Sequence, residues 1–267
     1  MAQIRCNFLS YTLRRAVDLT VIIPTMCFSE MMAENPHHPQ GAKYPVLYLL
    51  HGYGNNHATW NGYTSVELYA EERNMAVVML SAENKAYINH GGDDNYFDFI
   101  SKELPEFIQG MFPVSSRPED TYIAGLSMGG YGALVHGLSQ SQRFAAIGSF
   151  SGAAKVCDDR EFQFSPAKLA EACAREDRKK PMYIACGDQD FLYQDNIAFK
   201  DYLEKLGFDV TWVVGEGYTH EWRFWNREVE AFLDWIPPTD AYYNGGENRK
   251  IRRKRGRAEA FRLRAAF

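Results

Sequence analysis

Short apolar runs rich in β-branched and aliphatic residues recur at 46–50, 76–80, 121–124, 145–150, 182–186 and 210–214, with a further one at 18–23. Runs of this length bounded by polar turns predict buried strands. Between them, apolar positions return at three- and four-residue intervals over 96–110, 130–138, 196–206 and 221–235, the spacing of one helix face. Strands alternating with helices predict an α/β fold, in which a mostly parallel central sheet is covered by helices on both faces.

The Pro-, His- and Asn-containing stretch 34–41 reads as a loop ahead of the run at 46–50. Residues 152–180 join two strands and mix charge with a short helical pattern, which predicts a small lid over the strand ends. Beyond Pro237 and Pro238 the periodicity stops. One domain over 1–240 is expected, followed at 241–267 by a basic tail that stands outside the fold as an unfolded or appended segment.

Composition changes this picture little. Hydrophobic residues make up 46% and charged residues 24% of 267, enough to bury a sizeable core. No run reaches the about eighteen apolar residues of a membrane span, and the first thirty residues lack an export pattern. Five widely spaced cysteines without a CxxC pair predict reduced thiols and a cytoplasmic location. The net charge of −5 hides an uneven distribution, since nine Arg and Lys crowd residues 249–264. A terminal basic run is usually a solvated tail, so nucleic-acid binding is the minority expectation. His90 with Asp93 and Asp94 resembles a metal cluster, but one solvated loop without a spaced partner predicts no metal, and no cofactor motif is present.

Chemistry enters at Gly125-Leu126-Ser127-Met128-Gly129. It matches GxSxG, follows a predicted strand and opens a predicted helix, as a nucleophile elbow does. The serine of such an elbow sits on a strained turn, so the residues two positions either side need to be nearly free of side chain. After the run at 46–50 comes His51-Gly52-Tyr53-Gly54, where the second oxyanion donor of an α/β-hydrolase lies. The backbone N–H groups of Met128 and of Tyr53, or of a residue next to Tyr53, are the candidate donors.

Chain order then selects the acid and base. Gly187-Asp188-Gln189-Asp190 follows the run at 182–186, and Asp190 is preferred to Asp188, which lies closer to the strand and is expected to cap the loop. His220 alone among the seven histidines follows the last predicted strand. His136, inside the elbow helix, is expected to be a packed core residue, and His51 to shape its loop. Trp60, Phe191 and Trp222 flank the motif loops as candidates for lining an acyl pocket, against the ordinary expectation that such aromatics are core. Trp225 is expected to face the sheet.

Taken together, HGYGNNHATW, the ELPEFI helix, AGLSMGGYGAL, CGDQDFLYQDN and YTHEWRFW resemble the esterase D-like branch of the α/β-hydrolases, notably its short-chain bacterial members typified by tributyrin esterase. The resemblance covers most of 1–237. It implies a serine carboxylesterase acting on small-molecule short-chain acyl esters without a cofactor, with Ser127 as nucleophile, Asp190 as acid and His220 as base. It also implies backbone donors at Tyr53 and Met128, a cytoplasmic location and frequent homo-oligomers. S-formylglutathione hydrolases of this group usually carry Leu-Thr-Cys after His-Gly, where Tyr53-Gly54-Asn55 stands here, which argues against a thioesterase. Feruloyl and acetyl-sugar esterases, acyltransferases and a non-catalytic binding protein on the same fold are the alternatives.

A neutral histidine base titrating near roughly 6.5 predicts activity that falls as pH drops through about 6 to 7. A rate profile flat down to pH 4 is the opposite result.

Overall fold

A computed structural model describes residues 1–36, 38, 43–156 and 164–236. The chain-order strands are β1 (Ala2–Ser10), β2 (Arg15–Ile23), β3 (Val46–Leu50), β4 (Ala76–Leu80), β5 (Thr121–Leu126), β6 (Ala146–Phe150), β7 (Met182–Gly187) and β8 (Val210–Gly215). The helices are α1 (Phe28–Met31), α2 (Thr59–Tyr63), α3 (Val66–Glu72), α4 (Tyr96–Asp98), α5 (Leu104–Met111), α6 (Met128–Ser139), α7 (Pro166–Arg175), α8 (Tyr193–Lys205) and α9 (Trp222–Trp235). The strands form one sheet in the order β1-β2-β4-β3-β5-β6-β7-β8. β1 and β2 pair antiparallel, as do β2 and β4, and the remaining pairs are parallel.

Both faces of the sheet are buried, which is why the central strands read as continuous apolar runs rather than alternations. The strand period still sorts the side chains. Val46, Tyr48 and Leu50 of β3 point into the cluster shared with Leu104 and Ile108 of α5, Leu134 of α6, Leu169 of α7 and Phe199 of α8. Leu47 and Leu49 point the other way, into the cluster with Trp60 of α2, Val66 of α3 and Phe224, Val229 and Phe232 of α9.

Three differences from the sequence expectations have physical causes. β1 is an edge strand with one face half-buried and the other exposed, so its apolar signal is diluted. Its turn into β2 is held by Glu103, whose carboxylate accepts from Ser10 Oγ (2.7 Å), Tyr11 N (2.9 Å) and Thr12 N (2.9 Å). Glu103 ends a π-helical turn, Phe99–Glu103, between α4 and α5. The expected helix 96–110 is therefore three segments in line. Second, α7 buries Pro166, Leu169, Ala170 and Cys173 in the core, so this part of 152–180 is a wall of the body and not a lid. Residues 157–163 of that stretch, and the tail 241–267, lie outside the described residues. Third, α2 and α3 each span less than two full turns, too short for a helical period to show.

Among the described residues, no helix is long and apolar enough to cross a membrane.

Two histidines are buried uncharged. His136 Nε2 donates to Tyr87 O (2.9 Å) inside the core. His51 accepts the Ala82 N–H at Nε2 (3.0 Å), and its Nδ1–H donates to Gly52 O (2.7 Å). Burial lowers both to about 4. A base whose folded value lies below its unfolded value near 6.5 binds protons preferentially in the unfolded chain between those two pH values. Stability is therefore retained above about 6.5 and lost as pH falls toward 4, by up to ~3 kcal/mol per histidine. Urea unfolding midpoints measured across this window should decline steadily with acid; a constant midpoint down to pH 4 contradicts buried neutral imidazoles.

Candidate active site

Four loops leave the same edge of the sheet because the parallel strands end in register. Leu50 pairs with Gly125, Leu126 with Phe150, Phe150 with Ala185 and Ala185 with Val213. The segments beyond these residues carry Tyr53, Ser127, Asp190 and His220 in turn.

Ser127 joins β5 to α6 with φ 52° and ψ −115°, a conformation that costs a non-glycine residue free energy and marks sites where position matters more than comfort. The glycines two residues away make the turn feasible. A Cβ on Gly125 would lie 2.4 Å from Gly129 O, and one on Gly129 would lie 2.3 Å from Leu50 O. α6 starts directly after the serine. Tyr131 N–H is bonded to Ser127 O (3.0 Å), so the N–H groups of 128–130 are those that helical bonding leaves open. Met128 thus sits at the positive end of the helix dipole, an environment that favours negative charge.

The His51–Gly54 loop lies against Ser127: a Cβ on Gly52 would be 3.5 Å from Ser127 Cβ. The Gly54 N–H donates to Asn84 Oδ1 (2.6 Å) and the Asn55 N–H to Gly52 O (3.3 Å). Both neighbours that follow Tyr53 are thus committed. Tyr87 OH, donating to His51 O (2.7 Å), ties the loop from behind, and His51 shapes it as expected.

His220 Nδ1 lies 2.8 Å from Asp190 Oδ2. Burial pushes the Asp190 carboxyl up, but hydrogen bonds from His220, from the Leu192 N–H and from the Ser151 hydroxyl outweigh it and hold the group below the usual carboxylate range. An ionised Asp190 requires Nδ1 to carry the proton and leaves Nε2 as the basic nitrogen. Asp188 takes the capping role, since its Oδ1 accepts the Gly217 N–H (2.8 Å). Phe191, 75% exposed, stands with its ring 4.6 Å from that of His220. Trp225 is buried and meets the same imidazole edge-on at 4.8 Å.

The pocket candidates divide. Trp60 is wholly buried and its indole N–H is spent on Leu50 O (3.0 Å), so it is core and lines no pocket. Trp222 is half-buried and stacks on Tyr63 at 5.1 Å. The cluster read from His90, Asp93 and Asp94 binds within the protein: Asp94 pairs with Arg15 and Lys85, and His90 Nε2 with Lys85 O. Among the described residues no group of His, Cys, Asp and Glu could hold a metal ion.

Two positions escaped sequence reasoning. Ser151 bonds Asp190 but belongs to no motif, and only its place just past a predicted strand drew it near the site. Gly187 reads as a strand end, yet a Cβ there would lie 2.2 Å from Tyr218 O. Gly187→Ala should force the Asp190 and His220 loops apart, lowering stability by about 1–3 kcal/mol and kcat/KM at least tenfold. Thermal unfolding and steady-state kinetics on the purified variant check both, and an alanine variant that is stable and fully active would show the loops to be free of each other.

Residues 27–233 match the Esterase family, described as "Putative esterase". The chain is 30% identical to an acetyl esterase of Caldicellulosiruptor saccharolyticus, over 88% of this chain and 98% of the relative. Among solved structures it is similar to FphF, a fluorophosphonate-binding serine hydrolase of Staphylococcus aureus, with TM-score 0.78 and 30% identity over 88% of this chain and 98% of that one. It is likewise similar to an S-formylglutathione hydrolase of Staphylococcus aureus, with TM-score 0.76 and the same identity and coverage. The chain belongs to the Esterase family and is a serine carboxylic ester hydrolase on the α/β-hydrolase fold.

Proposed function

We propose that this enzyme hydrolyses short-chain acyl esters through Ser127, His220 and Asp190, with the N–H groups of Tyr53 and Met128 receiving the oxyanion. The observation that carries the reading is the 2.8 Å bond from His220 Nδ1 to Asp190 Oδ2, made on the strand edge from which Ser127 emerges on a strained turn. In this mechanism His220 Nε2 takes the Ser127 proton as Oγ attacks the ester carbonyl. Asp190 steadies the imidazolium, and the carbonyl oxygen gathers negative charge against the open N–H groups at the start of α6 and in the Tyr53 loop. His220 returns the proton to the departing alcohol. Water then attacks the acyl-enzyme with His220 again as base, releasing the acid and restoring Ser127.

The acetyl esterase relative supports a small acyl group, and the S-formylglutathione hydrolase relative makes a thioester the reading to test beside it. A cytoplasmic setting is part of this proposal, and free thiols at Cys6, Cys27, Cys173 and Cys186 are compatible with it.

A panel of p-nitrophenyl esters from acetate to decanoate, with S-formylglutathione alongside, tests both parts. Expected are a maximum at the short chains and a Ser127→Ala variant with less than about a thousandth of the wild-type rate. A variant that keeps more excludes covalent catalysis by Ser127, and a maximum at long chains or at the thioester replaces the substrate assignment.

A further inference from the structure

Ser151 follows β6 and is fully buried in a left-handed backbone conformation, φ 47°. Glycine adopts that conformation without strain and serine does not, so a serine here signals a use for its side chain. The backbone is pinned by Ser151 N–H donating to Ala185 O (2.7 Å). Its hydroxyl oxygen accepts the Trp225 indole N–H (3.2 Å), which leaves the O–H to donate to the Asp190 carboxylate. Trp225 in turn sets its ring edge-on against His220 at 4.8 Å. One hydroxyl therefore links the acid to the aromatic ring that braces the base.

We infer that Ser151 and Trp225 form a positioning pair for the Asp190–His220 couple, Ser151 sharing the carboxylate's charge and Trp225 fixing both the Ser151 hydroxyl and the imidazole plane. The inference rests on the catalytic assignment above. Deleting the hydroxyl removes one of the donors to the buried carboxylate, so its charge falls more heavily on His220 and favours the protonated imidazole. The base then needs a higher pH to work. The other titratable groups about the pair are Cys186, Asp188 and Glu221. The Cys186 thiol lies 3.9 Å from Ser151 Oγ and is pushed up to about 12 by burial and by Asp190, so it stays neutral throughout. Asp188 is engaged by Gly217 N–H, and Glu221 by Thr219.

The test uses Ser151→Gly, which suits the left-handed backbone, together with Trp225→Phe, the double variant and Ser127→Ala, all assayed with p-nitrophenyl acetate from pH 5 to 9. For Ser151→Gly the midpoint of the acid limb of kcat/KM should move up by ~0.5–1 unit and kcat should fall about 5–50-fold, with KM within about twofold of wild type. Trp225→Phe should shift the midpoint the same way by less, and the double variant should resemble Ser151→Gly alone, because phenylalanine keeps an aromatic ring beside the imidazole and removes the N–H that acts through the Ser151 hydroxyl. Superimposable pH profiles for wild type and Ser151→Gly, or fully additive effects of the two changes, overturn the inference. Should Ser151→Gly fail to fold, Trp225→Phe with an unmoved acid limb overturns it equally. An active Ser127→Ala protein would instead remove the catalytic assignment itself, which keeps the two failures apart.

Discussion

The structure depends on how closely the start of α6 approaches β3 and β5. Gly129 packs against the carbonyls of Leu50 and His51, and Gly125 against that of Gly129, at distances no side chain tolerates. Holding Ser127 at φ 52° costs free energy locally, and burial on both sides repays it. Every residue of α6 from Met128 to Leu138 is buried, so the helix cannot relax the turn by shifting outward. Ser127 is fixed by packing throughout its helix together with its own backbone bonds to Phe150 O and from the Ala153 N–H.

That total burial explains what could be read in advance. The central strands were legible because burial on both faces leaves only apolar residues between polar turns. The elbow was legible because its steric needs can be met only by glycine at fixed offsets. The sequence pattern of α6 begins at 130 and the helix itself at Met128, since a helix buried all round has no polar face to mark its phase. β1, α2 and α3 were missed because an exposed edge or one short turn supplies too little contrast. Trp60 is ambiguous in the sequence for a related reason: an aromatic beside a motif loop has the same sequence signature whether it points to solvent or, as here, spends its N–H on Leu50 O beneath the loop.

Asp190 and Asp188 show how two carboxylates two residues apart come to different tasks. Asp188 bonds the backbone of the neighbouring Gly217 and so closes the loop. Asp190 is buried, and a buried carboxylate survives ionised only with several donors. It has them in His220, Leu192 N–H and Ser151. Sequence alone preferred Asp190 by its reach along the turn. Two of the donors that make the choice physically sound, His220 and Ser151, come from segments far along the chain, which no local pattern records.

The loops that carry Asp190 and His220 are joined into one unit. Asp188 N–H donates to Gly215 O, Gln189 N–H to Tyr218 O, and Gly187 leaves room for Tyr218 to close on it. The Ser127 turn and the His51–Gly54 loop form a second unit, bound by Gly52 against Leu126 and Gly129 against Leu50. Between them runs the segment after β6. Ala153 N–H donates to Ser127 O (3.1 Å), Gly152 O accepts from Asn196 of α8 (3.0 Å), and Ser151 reaches Ala185 O on β7. Residues 151–153 are thus bonded to both units. This stretch belongs to none of the sequence motifs, yet Ser151, the strained serine at its head, stands where both units are held at once.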